Sequence, residues 1–214
     1  MALPAGTAGP IGAALALAVA SGLSLYGTVF VTGLAIRMEW VHLGPGWTSL
    51  AVLGDPLVLA ISGVLFLVEF LADKIPVVDS VWDAIHTLIR PVGGALLASR
   101  ALGDLSPLAE VLALLLLGGA TLATHAAKAT TRVAVNTSPE PVSNVLVSLA
   151  ENGLVAGAVW LALAHPVAAL VAALVALALA VTLVAWLGRR AWVAIGRLRR
   201  RGPASPPGRP ARSA

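Results

Sequence analysis

A run of charged residues inside an apolar chain constrains this protein more than any other feature. Residues 66–94 carry seven charged or titratable side chains within 22 positions, and apolar sequence flanks them on both sides. Any fold of this chain must supply partners for these side chains, because a charge buried without a partner is costly. The seven residues are Glu69, Asp73, Lys74, Asp79, Asp83, His86 and Arg90.

The composition predicts an all-α integral membrane protein whose main partner is the lipid bilayer. Hydrophobic residues make up 58% of the 214 residues and charged residues 11%, whereas about 25% of a typical soluble domain is charged. With a mean hydropathy of +0.93, the chain cannot cover itself with a polar surface. The absence of cysteine excludes disulfides, thiolate catalysis and cysteine-ligated metal sites.

The net charge of +4 is concentrated at the C-terminus. Eight Arg residues follow residue 188 and no acidic residue follows Glu151, so residues 1–188 carry six basic and ten acidic groups. An Arg cluster beside a membrane helix is typical of a cytoplasmic segment that faces anionic lipid, and we favour this partner over nucleic acid. Residues 202–214, rich in Arg and Pro, are predicted to form a disordered cytoplasmic tail.

Hydropathy and helix breakers predict about six transmembrane helices in one domain, residues 1–201. An interfacial loop is expected at 37–50, and polar breaks at 73–78 and 128–141. The third helix is polar and is expected to be disturbed at Pro91–Gly94. The predicted spans are 11–36, 51–72, 79–102, 107–127, 142–163 and 167–188.

Polar residues recur at helical spacing on four segments. Residues at i, i+4, i+7 and i+11 share one face of a helix. Because charges at bilayer depth cost several kcal/mol each, these faces should turn inward and meet. The four sets are Glu69 and Asp73; Asp79, Asp83, His86 and Arg90; Thr121, His125, Lys128 and Arg132, if the fourth helix extends that far; and Asn144, Ser148 and Glu151.

The pooled polar side chains are predicted to form an intramembrane binding site. Acidic groups exceed basic groups by two when the histidines are neutral, so a cavity lined by them could pass a cation or relay protons. The basic groups could equally hold an anionic substrate. The candidate residues are Glu69, Asp73, Lys74, Asp79, Asp83, His86, Arg90, His125, Lys128, Arg132, Asn136, Glu140, Asn144 and Glu151.

The same charges also have a purely structural interpretation. Acids and bases can pair across helices to hold the bundle together, and groups near the breaks, such as Lys74 and Glu140, can lie in headgroup water. His86 and His125 with nearby carboxylates could ligate a hard or borderline metal, and this question stays open. No HExxH motif, phosphate-binding glycine loop or GxSxG elbow occurs, and we predict no cofactor.

The polar segment has a weaker counterpart later in the chain, which suggests an internal duplication. Asp83 and Arg90 lie seven residues apart, as do Asn144 and Glu151. Many transporters are built from repeats with polar sites where the halves meet. The hypothetical two-helix repeats are residues 57–103 and 108–163.

Two long segments resemble the domain-of-unknown-function family 4126. They are FLVEFLADKIPVVDSVWDAIHTLIRPVGGALLA and HAAKATTRVAVNTSPEPVSNVLVSLAENGL, and the opening GLSLYGTVFVTGL is similar to the first span of that family. The resemblance covers residues 20–165. It implies a multi-span membrane protein of a kind found mainly in bacteria, and it implies no activity.

These observations favour a small transporter or channel of the bacterial inner membrane for an ion or small charged solute. In this hypothesis Glu69, Asp83 and Glu151 bind a cation or exchange protons, and His86 and His125 are titratable relays. Six spans with the Arg cluster inside would place both termini in the cytoplasm. We also expect a homo-oligomer, because six short spans enclose little volume.

Two other functions remain open at this point. The acids and histidines could serve a membrane enzyme that acts on a lipid headgroup, as acid–base groups or as metal ligands. A non-catalytic scaffold could use the Arg tail to recruit lipid or protein.

Overall fold

The computed structural model describes residues 8–41, 45–136 and 141–200, and within these ranges the chain is helical with no strand. The prediction of an all-α fold is therefore confirmed. Two short 3-10 helices accompany the α-helices, at Pro45–Gly54 and Arg100–Leu102. The α-helices are α1 (Ala8–Leu23), α2 (Leu25–Arg37), α3 (Pro56–Ala72), α4 (Pro76–Ser99), α5 (Pro107–Asn136), α6 (Pro141–Ala164) and α7 (Pro166–Arg200).

Proline marks the start of every helix from α3 to α7. Its ring fixes φ near the helical value. Its missing N–H costs nothing at this position, because the N–H groups of the first turn have no partner within the helix. The turn between α3 and α4 is consequently shorter than predicted, since α4 begins at Pro76 rather than at residue 79. Likewise α3 begins at Pro56, after the 3-10 helix, rather than at residue 51.

Six transmembrane helices are not confirmed. Three helices, α5, α6 and α7, are long and apolar enough to cross a membrane. A fourth crossing is available if α3 is joined to the 3-10 helix before it, from which it is bent by 72°. The helices α1 and α2 have only 16 and 13 residues, or about 24 and 20 Å, against about 30 Å of hydrocarbon.

The predicted first span, 11–36, is wrong as a single helix because the chain breaks at Ser24. The backbone of Ser24 is extended, with φ −149° and ψ 107°, and its side chain accepts a hydrogen bond from the Gly27 amide at 3.1 Å. Ser24 therefore caps the N-terminus of α2, a position where Ser is strongly preferred. Hydropathy alone does not register such a break, since apolar residues continue on both sides.

The two short helices form an antiparallel hairpin with its turn at Ser24. The α1 helix begins beside α7, where Gly12 packs against Pro166 and Leu170. Beyond the end of α2, Trp40 lines a pocket with Leu163, which lies close to that same start of α7. Both open ends of the hairpin therefore lie at one end of the bundle, and its turn points toward the other.

The α1 helix is the centre of the bundle. Ten of its 16 residues are buried, and it packs against α4, α5, α6 and α7. Small residues permit this close approach: a Cβ on Gly22 would overlap Thr121 and Thr124 of α5. The most buried helix thus ends directly in front of the charged faces of α3, α4 and α5.

Two helices run further than the sequence predicts, and a third, α4, is continuous where a disturbance is predicted. The α4 helix continues through Pro91 instead of being disturbed there, and Gly94 in the same segment packs tightly against Ser21 and Thr121. This packing offsets the backbone hydrogen bond that Pro91 removes. The α5 helix extends to Asn136, so the predicted break at 128–141 is mostly helix, and α7 continues past residue 188.

Some predictions fall outside these observations. The candidate Glu140 and the predicted disordered tail, 202–214, lie outside the described residues. The internal repeats 57–103 and 108–163 stay a prediction.

Candidate functional site

The predicted polar faces meet at the turn of the α1–α2 hairpin, where they form two adjoining clusters. The Arg90 cluster consists of Arg90, Glu69, Asp83, His125 and Ser24. The Arg132 cluster consists of Arg132, Lys128, Asp73, Asp79, Asn136, Asn144 and Glu151.

Arg90 is fully buried and holds two carboxylates. Its Nη2 lies 2.6 Å from Glu69 Oε1, and its Nη1 lies 3.1 Å from Asp83 Oδ1. The other oxygen of Glu69 accepts a hydrogen bond from the Ser24 hydroxyl at 2.6 Å. Arg90 Nη1 also faces the carbonyl of Gly22 at 3.4 Å, so the guanidinium joins α3 and α4 to the last turn of α1.

His125 is held in its neutral form by Arg90. Arg90 Nη1 lies 2.8 Å from His125 Nδ1, and a guanidinium can only donate, so Nδ1 must accept. The ring proton is then on Nε2, which lies 3.1 Å from the Thr87 hydroxyl and 3.2 Å from the Asp83 carbonyl oxygen. His125 therefore adds no positive charge to the cluster in this arrangement.

His86 lies on the same face of α4 but has a different neighbourhood. Its Nδ1 donates to the Trp82 carbonyl at 2.8 Å, and its Nε2 lies 3.2 Å from the Tyr26 hydroxyl. The imidazole also stacks on the Trp82 ring, with centroids 4.3 Å apart. His86 thus connects α4 to α2 at the edge of the Arg90 cluster.

Arg132 gathers side chains from three elements. Its Nη2 lies 2.8 Å from Glu151 Oε2 and 3.4 Å from Asp73 Oδ2. Its Nη1 donates to Asn144 Oδ1 at 2.7 Å and to the Asp73 carbonyl at 3.1 Å. The guanidinium therefore connects α5 and α6 to the turn between α3 and α4.

Lys128 is a second cation that shares these carboxylates. Its Nζ lies 3.0 Å from Asp73 Oδ2 and 3.7 Å from Glu151 Oε2. It also donates to the carbonyl of Leu23, the last residue of α1, at 3.1 Å. A cation is favourable there, because the C-terminal end of a helix carries partial negative charge.

Asp79 has a neutral partner rather than a close cation. Asn136 Nδ2 donates to Asp79 Oδ2 at 2.8 Å and also lies 3.3 Å from the Ser80 hydroxyl. The other oxygen, Oδ1, is 3.9 Å from Arg132 Nε, which is too long for a hydrogen bond. Asp79 is nevertheless fully buried.

The two clusters together carry more negative than positive charge. Five carboxylates face three cations, which leaves an excess of two when both histidines are neutral. Three buried carboxylate oxygens have no hydrogen-bond partner among the described residues: Asp73 Oδ1, Asp79 Oδ1 and Asp83 Oδ2. A buried charge without a partner is costly, and a bound cation, a proton or a water molecule would lower that cost.

Lys74 lies at the rim of the site, between α3 and α4. Its Nζ sits 3.0 Å from the centre of the Phe70 ring and donates to the Phe70 carbonyl at 2.9 Å. Ser148 Oγ is 3.4 Å away. Burial lowers the pKa of Lys74, an effect that the neighbouring Asp73 carboxylate opposes.

Several residues that contact the candidate side chains were not among the predicted candidates, and three of them are Ser24, Tyr26 and Thr87. Ser24 lies outside the four polar stripes. Its role depends on the reversal of the chain at that position, which no spacing pattern indicates. Thr87, four residues after Asp83, lies on the same face of α4, so helical periodicity could have identified it.

Basic side chains lie between the carboxylates and the histidines and keep them apart. In the described part of the chain, no group of three or more His, Asp or Glu side chains is placed to hold a metal ion. The ion pairs instead alternate acid and base across four helices.

Comparison with known proteins places the chain by family only. A family model described as a domain of unknown function (DUF4126) matches residues 11–186. No curated protein and no solved structure matches the chain.

Proposed function

Since the chain belongs to the DUF4126 family, a membership that carries no stated activity, we propose from the geometry of the site that it is a membrane transporter or channel for a cation. One observation carries the proposal: two buried carboxylates exceed the cations around them. A site that served only to join helices would be more stable with its charges balanced.

The depth of the site supports this function. Leu23, next to the hairpin turn, lines the same pocket as Ala176 of α7. Ala176 lies ten residues after Pro166 and thirteen before Arg189, near the middle of the apolar part of α7. The hairpin turn, with Arg90 and Lys128 beside it, is therefore near mid-membrane depth, where many transporters place their ion sites. Non-helical backbone is tolerated at that depth only where protein buries it.

The direction of the helices supports an orientation. We place the Arg-rich end of α7 in the cytoplasm, where Arg190 stacks on Trp186 at 4.3 Å. The start of α7, and the start of α1 beside it, then face the opposite side. The first and last described residues lie at opposite ends of the bundle and would face opposite sides of the membrane in this orientation, which is an alternative to the predicted cytoplasmic position of both termini.

This orientation is directly testable, because the native chain has no cysteine. A cysteine at Ala8 should react with a membrane-impermeant maleimide added to intact cells. A cysteine at Arg189, as the matched control, should react only after the membrane is opened. The reverse pattern would contradict the orientation.

A non-catalytic scaffold is the second candidate. It is favoured by the fact that Arg90, Lys128 and Arg132 each contact at least one carboxylate within 3.1 Å. Such pairing could hold four helices together with no ion moving. A scaffold would show no flux, and its site variants would change stability alone.

Ion flux in proteoliposomes separates the two candidates. We expect the native protein to conduct a monovalent cation, and Asp83→Asn and Arg132→Gln to reduce the flux strongly. Glu110→Gln is the control, since this exposed carboxylate lies outside the clusters. If the native protein passes protons, sodium, potassium and small charged solutes no faster than empty liposomes, the transport proposal fails.

A further inference from the structure

The excess negative charge can be assigned to particular residues. Both oxygens of Glu69 are occupied, by Arg90 and by Ser24. Asp73 and Glu151 each lie within 4 Å of both Lys128 and Arg132. Each of these three carboxylates therefore has at least one close cation, although Asp73 Oδ1 has no hydrogen-bond partner among the described residues.

The two remaining carboxylates are less well compensated. Asp83 shares Arg90 with Glu69, and its Oδ2 is buried without a partner. Asp79 has no cation within hydrogen-bond distance in the described structure, and its Oδ1 is likewise unpartnered. The exposed fraction is 0% for Asp79 and 4% for Asp83. The two lie one turn apart on the same face of α4, so that each raises the cost of charging the other.

We propose that the ion handled by this protein is the proton, and that Asp79 and Asp83 are the residues that bind it. The inference rests on the transport function proposed above and names its substrate.

A proton fits this site better than a metal cation does. A sodium or calcium ion needs several oxygen ligands around it, and among the described residues no group of three or more His, Asp or Glu side chains is placed to hold a metal ion. A proton needs one oxygen only. It converts each buried carboxylate into a neutral acid and so removes the cost of burying its charge.

The surroundings of the pair are mixed in charge. The α1 helix, described over its whole length, offers no titratable side chain to the pair. The groups that surround the pair are Asp73 from the α3–α4 turn, Glu69 from α3, Tyr26 from α2, Arg90 and His86 from α4, and His125 and Arg132 from α5.

The structure also indicates the order of proton binding. Asn136 Nδ2 contacts both Asp79 and the exposed Ser80 hydroxyl, so Asp79 lies next to the surface at the proposed cytoplasmic end. Asp83 lies one turn deeper, beside Arg90 and the hairpin turn. A proton taken up on Asp79 Oδ1 forms one O–H bond, and the same bond breaks when the proton moves on to Asp83.

Infrared spectroscopy of the full-length protein in lipid tests proton binding independently of transport. A protonated carboxyl group gives a C=O stretching band that a carboxylate lacks. We expect this band at neutral pH, reduced in Asp79→Asn and in Asp83→Asn and abolished in the double variant. Glu110→Gln should leave it unchanged. If the Asn variants do not fold, Asp79→Glu and Asp83→Glu replace them. These variants keep a carboxyl group and should shift the band instead of removing it.

The possible results discriminate between the two proposals. If no band at neutral pH responds to either Asp79 or Asp83, or if the band disappears in Glu151→Gln instead, the proton inference is overturned. Sodium or potassium flux without such a band would overturn it while leaving cation transport standing. An absence of all flux overturns both, whatever the infrared result. Proton flux that is lost in both Asn variants, together with the band, supports the inference.

Discussion

The Arg90 and Arg132 clusters are built from the same kinds of side chain, yet they differ in how their charge is distributed. Each is centred on a buried guanidinium that binds two or more carboxylates. Each also contacts a carbonyl at the end of α1, Gly22 in one case and Leu23 in the other. The Arg90 cluster has one cation for two carboxylates, whereas the Arg132 cluster has two cations, Arg132 and Lys128, for three carboxylates.

The exposed fractions of the side chains can also be compared between the two clusters. The side chains of Arg90, Glu69 and Asp83 are 0%, 1% and 5% exposed, whereas that of Glu151 is 11% exposed. The Arg90 cluster thus has no second cation, while the Arg132 cluster has two and reaches solvent at Glu151, although Asp73, Asp79 and Lys128 are as buried as the Arg90 cluster. We expect the loss of a cation to cost more in the Arg90 cluster, and we call the Arg132 cluster the adjustable end of the site.

The largest effect should follow from removing the only cation of the Arg90 cluster. Arg90→Gln leaves Glu69 and Asp83 buried without a cation, and breaking a buried pair in this way costs about 3–5 kcal/mol. Denaturant unfolding in detergent micelles measures the loss. The exposed Arg189→Gln should be nearly neutral, and equal effects of the two substitutions would contradict the expectation that the Arg90 cluster depends on its only cation.

The matching change in the other cluster should cost less. In Arg132→Gln, Lys128 still lies 3.0 Å from Asp73 and 3.7 Å from Glu151, so these two carboxylates keep a cation, and Asp79 loses only a contact of 3.9 Å. We expect a loss of about 2 kcal/mol, mainly from unsatisfied hydrogen bonds. The double variant Lys128→Gln/Arg132→Gln should lose more than the two single variants added together. If the losses of stability in the two single variants simply add up to that of the double variant, Lys128 does not compensate the carboxylates when Arg132 is removed.

The packing around the hairpin turn offers a smaller, steric test. A Cβ at Gly22 would lie 2.6 Å from the Thr121 carbonyl oxygen, so Gly22→Ala should destabilise the protein by about 1–3 kcal/mol through overpacking. Gly157→Ala is the matched control, because nothing lies within 4 Å of its Cβ position. It should be neutral or gain up to about 1 kcal/mol from helix propensity. A tolerated Gly22→Ala would mean that the hairpin turn is loosely packed.

The smallest effect concerns Lys74 at the adjustable end. Burial lowers its pKa in the folded protein, so the unfolded chain binds more protons in the window below the ordinary lysine pKa. Unfolding free energy contributed by this group should therefore rise as the pH increases through that window. The pH dependence of unfolding for the native protein and Lys74→Met checks this. Identical slopes in the alkaline range would show that Lys74 is as solvated as a surface lysine.

The local pattern of the sequence determined the helices and their polar faces. Apolar composition required helices, prolines fixed where α3 to α7 begin, and the i, i+4, i+7 spacing predicted which side chains share a face. The predicted stripe from Asp79 to Arg90 is buried along its whole length. These features depend on neighbours within one or two turns of a helix, which is why a single sequence contains them.

Only the tertiary structure decided how the faces are partnered. The break at Ser24 depends on Glu69, 45 residues away, and the extension of α5 depends on partners that Lys128 and Arg132 find on other helices. Which carboxylates share a cation, and which two are left in excess, follows from distances between helices. The charge balance of a buried site depends on contacts between residues that are far apart in the sequence. The periodicity of the chain does not contain that information.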